Sequence, residues 1–356
     1  MNHPSQPPHH KLTIALVMIV RNEEACIARC LTSAMAHVDE VIVLDTGSTD
    51  DTVRIASDLG ARVHQMAWID DFSAARNAAL AHADADWNLV LDADEWLVEG
   101  GATLRQEAEA ATASGQPFLG LLPIHSEVQA PATGATPAGQ TAESVLSWIP
   151  RLLPRGVRYV GRIHEQPASD LPRRKLSVQI AHDGYSRDKM IRKAGRNRRL
   201  LIEAVAAEPE NPYLLYQLGK DYDIYAEPAL ALDCYEKALH RVKPNQGYRV
   251  DLVVRTIVCL TRIGALELGY QFAEDEMAFC RQSPDFFYVL AELLHGLAHQ
   301  QPEKSLSQWL PLVRVSLLFC LQLGDTPDIA GSVRGRGSHL ASQALSQVDK
   351  ILLPSA

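Results

Sequence analysis

Apolar and polar positions in the first ninety or so residues alternate between two rhythms. Leu12 to Val20 is an apolar, β-branched run that predicts a strand, and Glu23 to Met35 carries the helical period. Glu40 to Leu44 predicts a second strand, and Asp50 to Leu59 a helix with Asp50 as its N-cap. Ala61 to His64 predicts a short strand, Phe72 to His82 an alanine-rich helix, and Trp87 to Leu91 another strand. This β-α-β-α-β order demands an α/β fold with a mostly parallel, Rossmann-like sheet and helices on both faces. Ligands of such sheets sit beyond the carboxyl ends of the strands, so the residues following each strand are where chemistry belongs.

From Phe118 to Ile180 the pattern changes to short strand-like runs, with an exposed Ala/Pro/Thr/Gly-rich loop expected at Gln129 to Thr141. After Asp188 the chain reads as helical. Leu218, Gly219, Tyr222, Ala231, Tyr235 and Ala238 match the spacing of the roughly 34-residue tetratricopeptide (TPR) template. Looser helical pairs follow around Leu252 to Cys280 and Phe286 to Leu323, and an ordinary helical domain is the alternative. The expected organisation is a disordered tail over 1–11, an α/β domain over 12–186 and an all-α TPR-like domain over 187–356.

Composition narrows the classes. With 47% hydrophobic and 22% charged residues among 356, and 21 Gly and 20 Pro, the chain as a whole is neither disordered nor collagen-like. The net charge of −9 argues against a nucleic-acid partner, and Gly331 to Gly337 reads as a flexible basic loop too short to reverse that. The average conceals Arg151 to Arg199, where fourteen Lys/Arg face four Asp/Glu, a local +10 that leaves the rest at −19. That concentration suggests an anion handled nearby, solvated helix arginines being the bland competitor. The six cysteines show no CxxC spacing and read as reduced, packed thiols. With no signal-peptide pattern and no run of about 18 apolar residues, the expectation is a cytoplasmic protein without integral membrane association.

Three segments carry candidate chemistry. Leu89 to Glu95 is an apolar strand running into Asp92, Asp94 and Glu95; residues two apart on a strand point the same way, so Asp92 and Asp94 would converge. Clustered carboxylates repel unless a cation compensates, which suits Mg²⁺ or Mn²⁺, although Asp pairs at strand ends also cap helices and fill turns. Val41 to Asp50 is a strand ending in Asp45, then a Gly47-Ser48-Thr49 turn. Its carboxylate and turn amides suit a nucleotide base or ribose; capping accounts for Ser48 and Asp50, but spacing shows no capping duty for Asp45. Trp68 to Asn77 places a capping Ser73 before a helix whose first turns present Arg76 and Asn77, where a diphosphate or an ion pair to Asp70 or Asp71 would serve the arginine.

In this order the motifs resemble a family 2 glycosyltransferase with the GT-A fold. The likeness runs from Ile14 to about Tyr235 through Met18-Ile-Val-Arg-Asn-Glu-Glu24, Leu44-Asp-Thr-Gly-Ser-Thr-Asp50, Asp71-Phe-Ser-x-x-Arg-Asn77, Leu91-Asp-Ala-Asp-Glu95, Gly161-Arg-Ile-His-Glu165 and His182-Asp-Gly-Tyr185. It is nearest to the subgroup that appends TPR-like helices, that of the sublancin S-glycosyltransferase.

The resemblance implies that Asn22 to Glu24, Asp45 and the Gly47 turn hold a nucleotide, usually uridine diphosphate. Arg76 and Asn77 would lie near the donor sugar or diphosphate, and Asp92 and Asp94 would bind the bridging metal, Asp94 more directly. Inversion at the anomeric carbon is expected, with Glu165 as general base, His164 positioning the acceptor or ligating metal, and His182 as a third ligand. Arg151, Arg158, Arg162, Arg187 and Lys189 are candidate cations for the leaving diphosphate. The absence of the Trp-bearing signature of processive polymerases argues against bulk polysaccharide synthesis. TPR helices point to a peptide or protein acceptor, and the helical domain is the candidate homodimer contact. The alternatives are a saccharide or lipid-linked acceptor in cell-envelope glycan assembly, or a TPR interaction scaffold with an inactive transferase domain.

Overall fold

The computed structural model describes residues 11–128, 143–182, 187–329 and 331–353. The expected tail (but for residue 11), the Gln129 to Thr141 loop and the stretch Asp183 to Tyr185 lie outside the described residues. The chain forms two compact units, one of residues 1–125 and 148–184, the other of 126–147 and 185–356.

The first unit runs β1 (Ile14–Val20), α1 (Ile27–Met35), β2 (Glu40–Asp45), α2 (Thr52–Asp58), β3 (Arg62–Gln65), α3 (Phe72–Ala81), β4 (Trp87–Val90), β5 (Glu95–Glu99) and α4 (Gly101–Ser114). The chain continues through β6 (Leu119–Val128) and β7 (Glu143–Pro154), of which residues 119–125 and 148–154 belong to this unit, and then β8 (Tyr159–Val160), β9 (Gln166–Pro167), β10 (Arg173–Lys175) and β11 (Gln179–His182). Among the described residues the main sheet has the order β3-β2-β1-β4-β7-β6-β11-β5, with β10 on β6; β8 and β9 form a separate hairpin. Strands β3, β2, β1 and β4 are mutually parallel, whereas β7 pairs antiparallel with β4 and β11 with β5. The sheet is thus mixed, its parallel half matching the expected alternation.

Strand β1 shows why the layers form. Its even positions Ile14, Leu16, Met18 and Val20 pack with Ile27, Leu31 and Ala34 of α1 and Leu104 and Ala108 of α4, while Ala15 and Val17 join Ala75 and Ala79 of α3 in a second core. Side-chain alternation along one apolar strand therefore supplies both faces. Helix α4 went unseen in the pattern because its buried stripe, Leu104, Ala108 and Ala111, is narrow and otherwise polar. The cap of α3 is Asp71, which accepts from the Ala74 amide at 2.9 Å, and Ser73 donates its hydroxyl to that same carboxylate. Asp50 likewise accepts from Thr52, while Asp51 takes the N-cap position of α2.

The second unit holds α5 (Arg187–Ala207), α6 (Pro212–Ile224), α7 (Pro228–Leu239), α8 (Arg249–Arg262), α9 (Leu266–Cys280), α10 (Pro284–Gln300), α11 (Pro302–Lys304), a π turn (Ser305–Trp309), α12 (Leu310–Leu323) and α13 (His339–Leu352). Helices α6 and α10 each start with a capping side chain, Asn211 or Ser283, followed by proline, a signature suited to an unsatisfied first turn. The α6–α7 pair closes on Gly219, where a Cβ would overlap the fully buried Tyr235 ring. Gly331 to Gly337 is a bonded connector, not a free loop: Asp325 accepts from the Gly335 and Gly337 amides, and Arg336 pairs with Asp285 at 3.1 Å. One further correction concerns Pro302–Leu323, a 22-residue helical stretch with an 18-residue window of mean hydropathy 1.4, long and apolar enough to cross a membrane. Its Val313, Leu317 and Cys320 are buried in the core that α10 shares. The six cysteines are free and buried.

Two measurements check this packing. Asp39 accepts from the Ile14 amide at 2.9 Å and from Arg105 at 2.7 Å, fastening the start of β1 to α4. Burial would raise its pKa, but the Arg105 and Ile14 bonds hold it below the ordinary carboxylate value. Its stabilisation is present above the unfolded value, about 3.9, and lost as pH falls through the lower folded value. Asp39→Asn should therefore cost about 1–2 kcal/mol at pH 7 in denaturant titrations, with the difference from wild type shrinking below about pH 4. Gly219→Ala should destabilise the helical unit by about 1–3 kcal/mol through overpacking, whereas Gly195→Ala in α5, which has open space, should gain about 0.5–1 kcal/mol.

Candidate active site

The carboxyl ends of β1, β2 and β4 lie side by side, and their following segments brace one another. Asp45, buried at the end of β2, accepts from the Gly47 amide at 3.2 Å and the Ser48 amide at 3.1 Å. The turn duty invisible from spacing thus exists: Asp45 shapes its own loop, and Gly47 supplies a φ of +107°. The loop after β1 is buckled to it, because Asn22 accepts from the Thr49 amide at 2.8 Å and Glu24 from the Asp51 amide at 3.0 Å. Asn22 itself sits at φ +56°, a conformation that asparagine tolerates. The result is a polar shelf of turn amides beside the end of β4.

Beyond β4 the geometry departs from the strand expectation. The strand ends at Val90, and Asp92 to Glu95 forms a turn in which the Glu95 amide donates to the Asp92 carbonyl at 3.0 Å and Glu95 accepts from the Asp92 amide at 3.0 Å. Two-residue alternation no longer applies, and Asp92 and Asp94 find different partners. Asp92 pairs through one oxygen with Arg76 of α3 and through the other with Arg151 of β7, each at 2.8 Å. Asp94 lies 3.7 Å from His182 Nε2 at the end of β11.

The pairing does not stop at Asp92. Arg76 also donates through Nε to Glu165, and Arg151 also donates to Glu95. Five side chains therefore alternate in sign, Glu165–Arg76–Asp92–Arg151–Glu95. The Asp92 side chain is 38% exposed, whereas those of Arg76, Arg151, Glu95 and Glu165 are 8%, 6%, 4% and 10% exposed. Asp92 is the link that faces outward.

Electrostatics follow from this order. Burial would raise the Asp92 pKa, but the Arg76 and Arg151 guanidiniums hold it far below the carboxylate range. Burial pushes Glu95 up against the pull of Arg151. Burial would push both guanidiniums down, and the neighbouring carboxylates instead raise them. Beneath Arg76, the Tyr159 ring centre lies 5.6 Å from the guanidinium carbon, and burial lifts its phenol to about 12. Burial would likewise depress His182, but its hydrogen bond to Asp94 and that carboxylate's charge leave it raised.

The other candidates fall into place around this chain. Asn77 is a brace, its amide donating to the Tyr159 carbonyl at 2.9 Å and accepting from the Tyr159 amide at 2.8 Å. His164, exposed and at φ +52°, sits beside Glu165 in the β8–β9 hairpin. Arg158 and Arg162 are exposed and donate to the carbonyls of Asn77 and Asp70, while the side chains of Arg187 and Lys189 lie outside the described residues. Among the described residues no three His, Cys, Asp or Glu side chains converge as a metal cage. The partners of Arg151 and the part played by Glu95 were missed in the sequence, because pairs separated by 56 and 59 positions leave no spacing signal.

Residues 15–108 match the pattern described as Glycosyl transferase family 2. The chain is 35% identical over 280 residues to a TPR repeat-containing protein of Synechococcus elongatus, covering 74% of this chain and 66% of that protein. It is 29% identical over 255 residues to the SPbeta prophage-derived glycosyltransferase SunS of Bacillus subtilis, covering 68% and 57%. Both relatives are thus spanned over less than two thirds of their own length. A solved glucosyl-3-phosphoglycerate synthase from Mycobacterium tuberculosis, in complex with Mn²⁺ and uridine-diphosphate-glucose, is 29% identical over 32% of this chain and 43% of that one, with a TM-score of 0.26. In a unit of mixed sheet that bears a carboxylate and arginine row beyond its parallel strands, residues 15–108 thus form a glycosyl transferase family 2 domain, with a helical unit following in the chain.

Proposed function

We propose that this protein is an inverting, metal-assisted glycosyltransferase that moves a sugar from a nucleotide-diphosphate donor, a UDP-sugar, to a peptide or protein side chain in the cytoplasm. The observation that carries the reading is the outward-facing Asp92, set between Arg76 and Arg151 beside the Asp94–His182 pair. The likeness to SunS and to a TPR repeat-containing protein supports a polypeptide acceptor.

The residues fit a divalent cation on one side of the row. Asp94 and His182 offer oxygen and nitrogen donors at 3.7 Å, a set suited to Mn²⁺ or Mg²⁺, whereas two guanidiniums on Asp92 oppose a further cation there. A cation held by Asp94 and His182 would supply charge neutralisation for the leaving diphosphate. The shelf made by Asn22, Glu24, Asp45 and Gly47 holds the nucleoside, and Asp92 orients the donor. Glu165 has one carboxylate oxygen on Arg76, and the other takes the proton of an acceptor hydroxyl or thiol. The acceptor atom forms its bond to the anomeric carbon as the bond to the diphosphate breaks, and the nucleoside diphosphate leaves with that electron pair. His164, exposed beside Glu165, orients the acceptor in this scheme.

A panel of nucleotide sugars with Mn²⁺, read by product mass on peptide acceptors and by donor hydrolysis, tests the reading directly. Asp94→Ala should abolish both reactions and weaken Mn²⁺ binding at least tenfold by titration calorimetry. Full activity of that variant in the presence of chelator would remove the metal from the scheme. Glu165→Gln should lower kcat by about 10²–10⁴-fold with little change in donor affinity; an unchanged kcat would show that the base lies elsewhere.

A further inference from the structure

Arg76 is the residue whose setting least fits direct contact with a ligand. Its side chain is 8% exposed although it sits in the first turns of α3 beside the site. Two of its three nitrogens are committed, Nε to Glu165 and Nη2 to Asp92, and the third, Nη1, is buried without a hydrogen-bond partner. The guanidinium also lies over the Tyr159 ring, which Asn77 holds by its backbone. A diphosphate could reach this group only by displacing carboxylates from both sides.

We infer that Arg76 is a positioning residue: it does not bind the donor diphosphate but ties Glu165, on the acceptor side, to Asp92, on the donor side, and so sets the distance between the base and the sugar. This inference rests on the transferase reading above and deepens it. A planar guanidinium can bridge two carboxylates through separate edges, which a lysine ammonium on a flexible stem does poorly. Displacing a base by about 1 Å costs on the order of 10² in rate without touching the donor pocket. The role therefore predicts a loss in kcat rather than in affinity.

The test is a double-mutant cycle on the full chain, with Arg76→Lys, Arg76→Gln, Glu165→Gln and the paired variants, read by steady-state kinetics and by calorimetric titration of UDP with Mn²⁺. The expected result is UDP affinity and donor KM within about threefold of wild type, kcat lowered about 100-fold or more, and a double variant no slower than the slower single variant. A tenfold or greater loss of UDP affinity in Arg76→Gln would overturn the inference in favour of a diphosphate contact. Penalties that multiply across the cycle would overturn it too, since the two residues would then act independently. If Arg76→Gln does not fold, by thermal melting, the Arg76→Lys arm of the cycle decides by the same criteria. A wild-type protein that neither binds UDP nor turns over any donor would sink the transferase reading itself, whereas turnover by wild type with either adverse variant result sinks the positioning role alone.

Discussion

Buried charge must be answered by opposite charge, and the alternating chain Glu165–Arg76–Asp92–Arg151–Glu95 is how the sheet unit answers it. The five links come from four places: the turn after β4, which supplies both Asp92 and Glu95, helix α3, strand β7 and the β8–β9 hairpin. None of these could shift alone without stranding a charge, so the pairing holds the ends of four segments in register. Three carboxylates and two guanidiniums leave one negative charge in excess, and the exposed link is Asp92. A row built this way presents its surplus charge outward, on the side where Asp94 and His182 pair.

The backbone supports this arrangement by braces. Asn77 clasps the Tyr159 backbone from both sides, which fixes the strand that precedes Glu165. Asn22 and Glu24 clasp the amides of the loop after β2, so the two loops that flank the row move as one. Residues that the family resemblance marks as ligand contacts thus also brace the loops that would receive the ligand. These duties are compatible, because each carboxyl or amide group has more than one acceptor or donor site.

What could be read from the sequence follows the range of the interaction. The strands around Ile14, Glu40 and Trp87 and the helix at Phe72 were legible because burial imposes a period on neighbouring residues. The Asp92–Asp94 pair was legible as a site but not as a geometry, since the strand ends at Val90 and a turn sends the two carboxylates to different partners. The cap of α3 was misplaced by two residues, from Asp71 to Ser73, because both residue types cap and only the backbone angle selects one. Arg151 and Glu95 meet across 56 positions, and His182 and Asp94 across 88, distances at which no periodicity survives. The TPR-like spacing, in contrast, is a local record of helix crossing: Gly219 is small because the Tyr235 ring occupies the space.

The basic stretch from Arg151 to Arg199 shows why a charge count is a weak guide to a binding face. Arg151 is spent inside the network, Arg155 on Asp84, and Arg174 on Glu107. Arg158 and Arg162 donate to backbone carbonyls, Lys175 lies over the Trp148 ring, and in the helical unit Arg198 answers Asp221 and Glu227. Most of these cations are committed within their own unit before any ligand arrives. On the transferase reading proposed above, stabilising a leaving diphosphate would fall to charge brought into the site rather than to a pre-existing basic surface, and a divalent cation on the Asp94–His182 side of the row would be the least opposed by the arginines that hold Asp92.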